Sequence, residues 1–199
     1  MDKRMRIGTG ILLVVFVLGL AVFAYRGGAG KGVEIYELRV SGTEEESEES
    51  IFRFALDLGT MTYVQEAEIS GQAFTLDSGS FSVEEKGYQL YSETDDINSL
   101  YFIKDGEYIF PEQYLCQGEI PSGDSFESAL SYESQGAEGK IAFHEDKTYE
   151  ETTPDGEMRK GTYNRDGNLI HRTQEDGSAD LDFYVYGNRI TNSFYRLVK

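Results

Sequence analysis

Few side chains in this chain have the chemistry for catalysis or metal binding, and their spacing works against both. There are two histidines, His144 and His171, and one cysteine, Cys116. A zinc centre needs about four Cys, His or carboxylate ligands brought together, and neither histidine has another His or Cys at ligand spacing. A lone cysteine permits no internal disulfide. Cys116 follows the apolar run Tyr108-Ile-Phe-Pro in acidic surroundings, which suits a buried thiol better than a thiolate nucleophile. No Gly-x-Ser-x-Gly elbow is present. Gly30-Lys31 resembles the end of a phosphate-binding loop, but Tyr25 stands where its first Gly belongs and Gly32 where Ser or Thr belongs. Aligning Gly167 with the glycine of a calcium loop puts Thr162 first and Thr173 last, where acids are needed. Asp95 with Asp96, or Asp180 with Asp182, are the remaining cation candidates. The reading is therefore of no catalytic residue, no metal and no cofactor. A carboxylate-dependent hydrolase is the third choice of function; with 36 acidic side chains a carboxylate pair is available in any fold, so the count itself points to nothing.

What the chain has in quantity is aromatic surface: 14 Tyr and 12 Phe, with no Trp. Aromatic rings supply large contact area, and tyrosine adds a polar handle, so such residues suit a site for a small apolar ligand. Tyr88, Tyr101, Tyr163 and Phe183 are the candidates to line it. The same residues could equally fill a core. The balance of 18 basic against 36 acidic side chains, −18 overall, excludes nucleic acid as a partner.

The elements that would position these residues begin with a segment of different character. Ile7 to Tyr25 carries no charged side chain. At about 1.5 Å per residue it spans roughly 28 Å, the thickness of a bilayer core. Lys3, Arg4 and Arg6 precede it, which orients the N-terminus toward the cytoplasm. Residues 1–6 read as a cytoplasmic tail, 7–25 as a transmembrane signal anchor and 26–32 as a Gly-rich tether. Residues 33–199 read as an extracytoplasmic domain. The expected location is the cell membrane, single-pass, or the medium if the chain is cleaved after Ala24. The basic residues Lys3, Arg4, Arg6, Arg26 and Lys31 fall in the first segments, so the negative charge is concentrated in the exported part.

That part alternates with a period of two. Phe52, Phe54, Leu56 and Leu58 share a face, as do Phe81 and Val83, and Leu181, Phe183 and Val185. Asp105-Gly, Asp155-Gly, Asp166-Gly, Asp176-Gly and Gly187-Asn punctuate the runs with the positive-φ residues that tight turns need. The expectation is an all-β antiparallel meander, closed as a barrel or stacked as a sandwich. One short helix is expected where Asp124-x-x-Glu127 looks like a capping box, although Phe126, Leu130 and Tyr132 also alternate as a strand would.

Two stretches match one another. Gly79-Ser-Phe-Ser-Val, Leu90 and Phe102 to Ile109 are followed at similar spacing by Gly161-Thr-Tyr-Asn-Arg, Ile170 and Phe183 to Ile190. They suggest pseudo-repeats over 51–116 and 139–199, read as two halves of one barrel. In the second, Phe143, Asp146, Tyr149, Gly161, Tyr163, Asp166, Leu169, Ile170, Gly187 and Ile190 set a rhythm that resembles the lipocalin-like domains exported by Gram-positive bacteria, often behind a membrane or lipid anchor. The resemblance implies a membrane-anchored binding module for a small apolar or envelope-derived ligand, without catalysis. The alternative is an interaction or assembly subunit docking to another cell-envelope protein, which predicts an exposed apolar patch or strand edge instead of a cavity.

Overall fold

The computed structural model describes residues 32–40, 50–94, 99–134 and 137–198. The expected cytoplasmic tail and transmembrane segment, and the tether before Gly32, lie outside the described residues. Asp95 and Asp96 do as well. Among the described residues no helix is long and apolar enough to cross a membrane.

The period of two becomes strands throughout. β1 (Val33–Val40), β2 (Ser50–Asp57), β3 (Thr62–Ile69), β4 (Gln72–Glu84), β5 (Gly87–Ser92), β6 (Ser99–Asp105) and β7 (Tyr108–Pro111) run as an antiparallel meander. β15 (Tyr195–Leu197) slots between β7 and β1 and closes them into an eight-stranded barrel. Of the same-face residues in the sequence, Phe52, Phe54, Leu56, Leu58 and Phe81 pack into the interior, while Val83, near the end of β4, is exposed. Phe54 lies opposite Tyr36 on one side and Gln65 on the other, and Leu56 lies opposite Tyr63. Phe54 stacks on Tyr63 at 5.4 Å and tilts against Phe102 at 4.9 Å. With Leu90, Ile109 and Tyr195 these rings pack into the interior, which in an eight-stranded barrel is narrow enough for side chains to fill.

The chain then departs after a short 3-10 turn, Glu112–Tyr114, and builds a second sheet. β8 (Ser128–Ser134), β9 (Ala137–Phe143), β10 (Thr148–Thr152), β11 (Met158–Asp166), β12 (Leu169–Gln174), β13 (Phe183–Tyr186) and β14 (Arg189–Thr191) pair in sequence order. This seven-stranded sheet curls round its own core of Phe126, Phe143, Tyr163, Ile170, Phe183 and Ile190. The linker Cys116–Ile120 lies along both of its edges. Cys116 N–H donates to Ile190 O at 2.7 Å and Ile120 N–H to Asn188 O at 2.5 Å, while Gln117 and Ser131 exchange backbone bonds.

Two expectations are corrected here. The Asp124–Leu130 helix does not form: Ser128–Ser134 is strand, and Phe126 alternates inward with Leu130. Tertiary bonds decide the matter. Phe126 N–H donates to Tyr163 Oη, and Ser128 Oγ donates to Glu119 O. Nor do the two matching stretches make halves of one barrel, since each lies in its own sheet. They do occupy corresponding places. Gly79 on β4 faces Ser92 on β5, and Gly161 on β11 faces Gln174 on β12. A Cβ at Gly79 would collide with the Tyr91 carbonyl, and one at Gly161 with the Thr173 carbonyl.

The two sheets meet through an aromatic seam. Tyr184 of β13 packs on Tyr108 at 4.6 Å and Phe110 at 5.4 Å, with Phe194 behind. Tyr184 Oη donates to Asp105 Oδ2 at 2.9 Å and accepts from the Asn168 amide, and burial pushes its phenol up to about 12.

One strand overruns its neighbour. β5 pairs only with Gly79–Glu84 of β4, so Gln72–Leu76 continue past its end, paired on one side with β3. The β3–β4 connection is the two-residue turn Ser70-Gly71, both at positive φ, which suits a tight hairpin. A bulge at Leu76 sets the overhang off from the barrel wall.

Candidate functional site

Polar side chains that point inward are the first places to look for function, because burying them has a cost that something must offset. In the barrel, Glu34 of β1 and Lys104 of β6 meet at the end where Gly32 enters. Lys104 Nζ lies 2.8 and 2.9 Å from the two Glu34 carboxylate oxygens and 2.9 Å from Tyr88 Oη. Tyr36 and Tyr88 both donate to Glu34 Oε2, at 2.7 and 2.8 Å. Burial raises the Glu34 pKa, but the bonds from Lys104, Tyr36 and Tyr88 outweigh it and hold the carboxyl below its usual range. Toward the other end, Asp77 accepts Tyr63 Oη at 2.6 Å, Ser92 Oγ at 2.6 Å and Thr94 Oγ1 at 2.9 Å. These bonds too outweigh burial and lower its pKa.

In the curled sheet the corresponding cluster is sealed. Arg172 of β12 donates to Glu151 Oε2 at 2.8 Å and to Leu181 O at 2.8 Å, and lies 3.2 Å from Asp180 Oδ2. Its guanidinium also sits 4.6 Å from the Phe183 ring and 5.0 Å from the Tyr149 ring. Tyr132 Oη closes Glu151 at 2.6 Å, and Tyr149 Oη closes Asp180 at 2.7 Å. Burial, followed by the bond to Asp180, pushes the Tyr149 phenol well above its ordinary range. Among the described residues no buried side-chain nitrogen or oxygen lacks a partner. Each of these buried groups is bonded within the protein, which offsets the cost of burying it.

The residues singled out from the sequence scatter over three environments. Tyr88 is in the barrel interior, bonded to Glu34 and Lys104. Tyr101 packs, half-buried, in the seam between barrel and sheet. Tyr163 and Phe183 share the core of the curled sheet, where the Tyr163 hydroxyl accepts the Phe126 N–H and donates to His144 O. The structure brings only these last two together. His144, just past the end of β9, pairs with Glu127, and His171 of β12 pairs with Asp182, so the two histidines are apart. Asp180 and Asp182 do not form a cation pair: one is engaged by Arg172 and Tyr149, the other by His171. Cys116 is buried, and burial pushes its thiol up to about 11.

Sequence reasoning missed both ion clusters. The available signal was phase. Glu34 alternates with the inward Tyr36 and Leu38, and Arg172 with the inward Ile170, so each charge stands where the pattern calls for an apolar residue.

The outer surface is where apolar groups remain uncovered. Ile69, Phe74 and Leu76 are 45 %, 47 % and 49 % exposed, and all three stand on the β3–β4 hairpin. A shallow open depression also crosses β8 to β11, lined by Ala129, Ala142 and Met158 between Lys140 and Glu150. Compared with known proteins, the chain matches no family model, no curated protein and no solved structure, so the barrel and curled sheet stand as an all-β architecture with no family identified.

Proposed function

We propose that the chain is a membrane-tethered, extracytoplasmic interaction module that docks to another cell-envelope protein and carries out no catalysis. One observation supports this reading above the others: side chains fill both interiors, while Ile69, Phe74 and Leu76 stand half-exposed on a single hairpin. A carrier for a small apolar ligand keeps its apolar surface inside, whereas a docking module displays it. The direction of the chain agrees. Gly32 bonds to the β2–β3 turn through Leu58 N–H, at the end of the barrel opposite the Ser70-Gly71 turn. An anchor at residues 7–25 would therefore hold the hairpin away from the bilayer. The charge of −18 repels anionic lipid, which favours a protein partner over the membrane surface. The eight-stranded meander serves as a lipocalin-like scaffold whose interior is given to packing instead of to a ligand.

Native mass spectrometry of the full-length chain released gently from its own membranes tests the reading. The expected spectrum contains a second protein in fixed ratio. A small-molecule adduct that leaves on denaturation, with no protein bound, would overturn it in favour of the carrier.

A further inference from the structure

We propose that the overhanging edge of β4, Gln72–Leu76, is a docking site for an extended segment of a partner protein with alternating basic and apolar side chains, which pairs as an added strand. This rests on the interaction-module reading and names the surface that would carry it.

The first support is the backbone. In an antiparallel ladder every second residue turns its N–H and C=O away from its partner strand. Along Gln72–Leu76 these groups meet no strand on the β5 side among the described residues, since the last backbone bond there is Glu93 N–H to Ser78 O. Folded proteins protect such edges with lysine, proline, inward charge or a bulge. Here the bulge at Leu76 is the one such device; Gln72-Ala-Phe-Thr-Leu76 has no charge and no proline.

The second support is that the two faces of the hairpin differ in chemistry. Phe74 lies opposite Ala67, and Ile69 is on the same face, which makes that side apolar. Thr75 lies opposite Glu66 and Ala73 opposite Glu68, which makes the other side acidic. Glu68 is engaged by Arg53 at 2.7 Å. Glu66 is half-buried and lies opposite Arg53 of β2, whose guanidinium acts on it through space but makes its ion pairs with Glu37 and Glu68. A strand added beside β4 places its side chains alternately on these faces. Apolar residues on one side meet Phe74 and Ile69, and Lys or Arg on the other reach toward Glu66 across two strand spacings of roughly 4.8 Å. The charge of the whole chain selects the same partner, because −18 attracts a basic segment and opposes a second copy of itself.

The test uses the full-length chain and a labelled nine-residue peptide of alternating lysine and valine, read by fluorescence anisotropy. Binding is expected, and a glutamate–valine peptide of equal length is expected not to bind. Thr75→Pro removes an edge N–H without changing net charge and should weaken binding at least ten-fold. Glu66→Gln should weaken it several-fold. If circular dichroism shows that Thr75→Pro does not fold, Thr75→Lys keeps the backbone donor, sets a like charge beside the peptide and should give the same loss. Equal binding to the folded edge variant, or equal binding of the glutamate–valine peptide, overturns the proposal. So does a concentration-dependent dimer of the unmodified chain that Thr75→Pro abolishes, since the occupant is then a second copy. A native partner still held by the edge variant would sink this site and leave the interaction reading standing. A small-molecule adduct with no peptide binding would sink both.

Discussion

Lys104 reaches Glu34 in the barrel with 32 % of its side chain still in solvent, while Arg172 reaches Glu151 and Asp180 in the curled sheet with 1 %. In both clusters a cation meets carboxylate directly and tyrosine hydroxyls donate to the same oxygens or their neighbours. The first sits at an open end, where water can take over a lost partner. The second is enclosed by Phe183 and Tyr149 and depends on internal bonds alone. The closures differ in the same way. The barrel gains a true eighth strand, β15, whereas the curled sheet is spanned only by the linker Cys116–Ile120. The less completely paired sheet is thus the one with the more completely buried ion network.

The largest effect should come from breaking that network. Arg172→Met leaves buried Glu151 without its cation and Asp180 with only Arg159, at 3.5 Å, and should cost about 3–5 kcal/mol in chemical denaturation. Lys104→Met strands a carboxylate that is 22 % exposed and keeps its two tyrosine donors, and should cost less than the Arg172 change, about 1–2 kcal/mol. Equal losses would show that burial does not distinguish the two clusters. Next come Gly79→Ala and Gly161→Ala. Each new Cβ meets a carbonyl of the neighbouring strand, and shifting that ladder should cost about 1–3 kcal/mol in either sheet. Similar values would strengthen the positional match between β4 and β11, and a large difference would weaken it.

Acid should separate the barrel from a variant lacking its carboxylate. The folded Glu34 carboxyl lies below its ordinary range, so it contributes stability above the unfolded pKa and loses it as pH falls through the folded value. The stability gap between the unmodified chain and Glu34→Gln should therefore narrow from about pH 6 to about pH 3. A gap constant with pH would remove Glu34 as a source of acid sensitivity. The smallest effect is expected at the seam. Tyr184→Phe removes the bond to Asp105 but keeps the ring packing, for about 1 kcal/mol by the same denaturation measurement.

The period of two in Phe52 to Leu58 and in Leu181 to Val185 made the all-β meander legible, because a strand exposes its faces directly in the sequence. Barrel and sandwich share that pattern. The choice between them rests on β15 returning to β1, a pairing between distant parts of the chain that no local signal carries. The Phe126–Leu130 stretch misled because Phe126 and Leu130, four positions apart, share a face in a helix and in a strand alike. The edge of β4 was out of reach for a different reason: it depends on where β5 stops, not on the composition of β4. The candidate aromatics were ambiguous from the start, since filling a core and lining a cavity make the same demand on a ring.

The position of β15 also sets an order of events during biosynthesis. Seven staves of the barrel are made first, then the entire curled sheet, and only then the strand that joins β7 to β1. Contacts this far apart in sequence form slowly, because the intervening chain must be gathered before they reward it. During that interval the inner rings Phe54, Tyr63 and Phe102 face a gap one strand wide, and the nascent barrel is exposed to mispairing. A chaperone that shields open β-sheets would find its client in that interval.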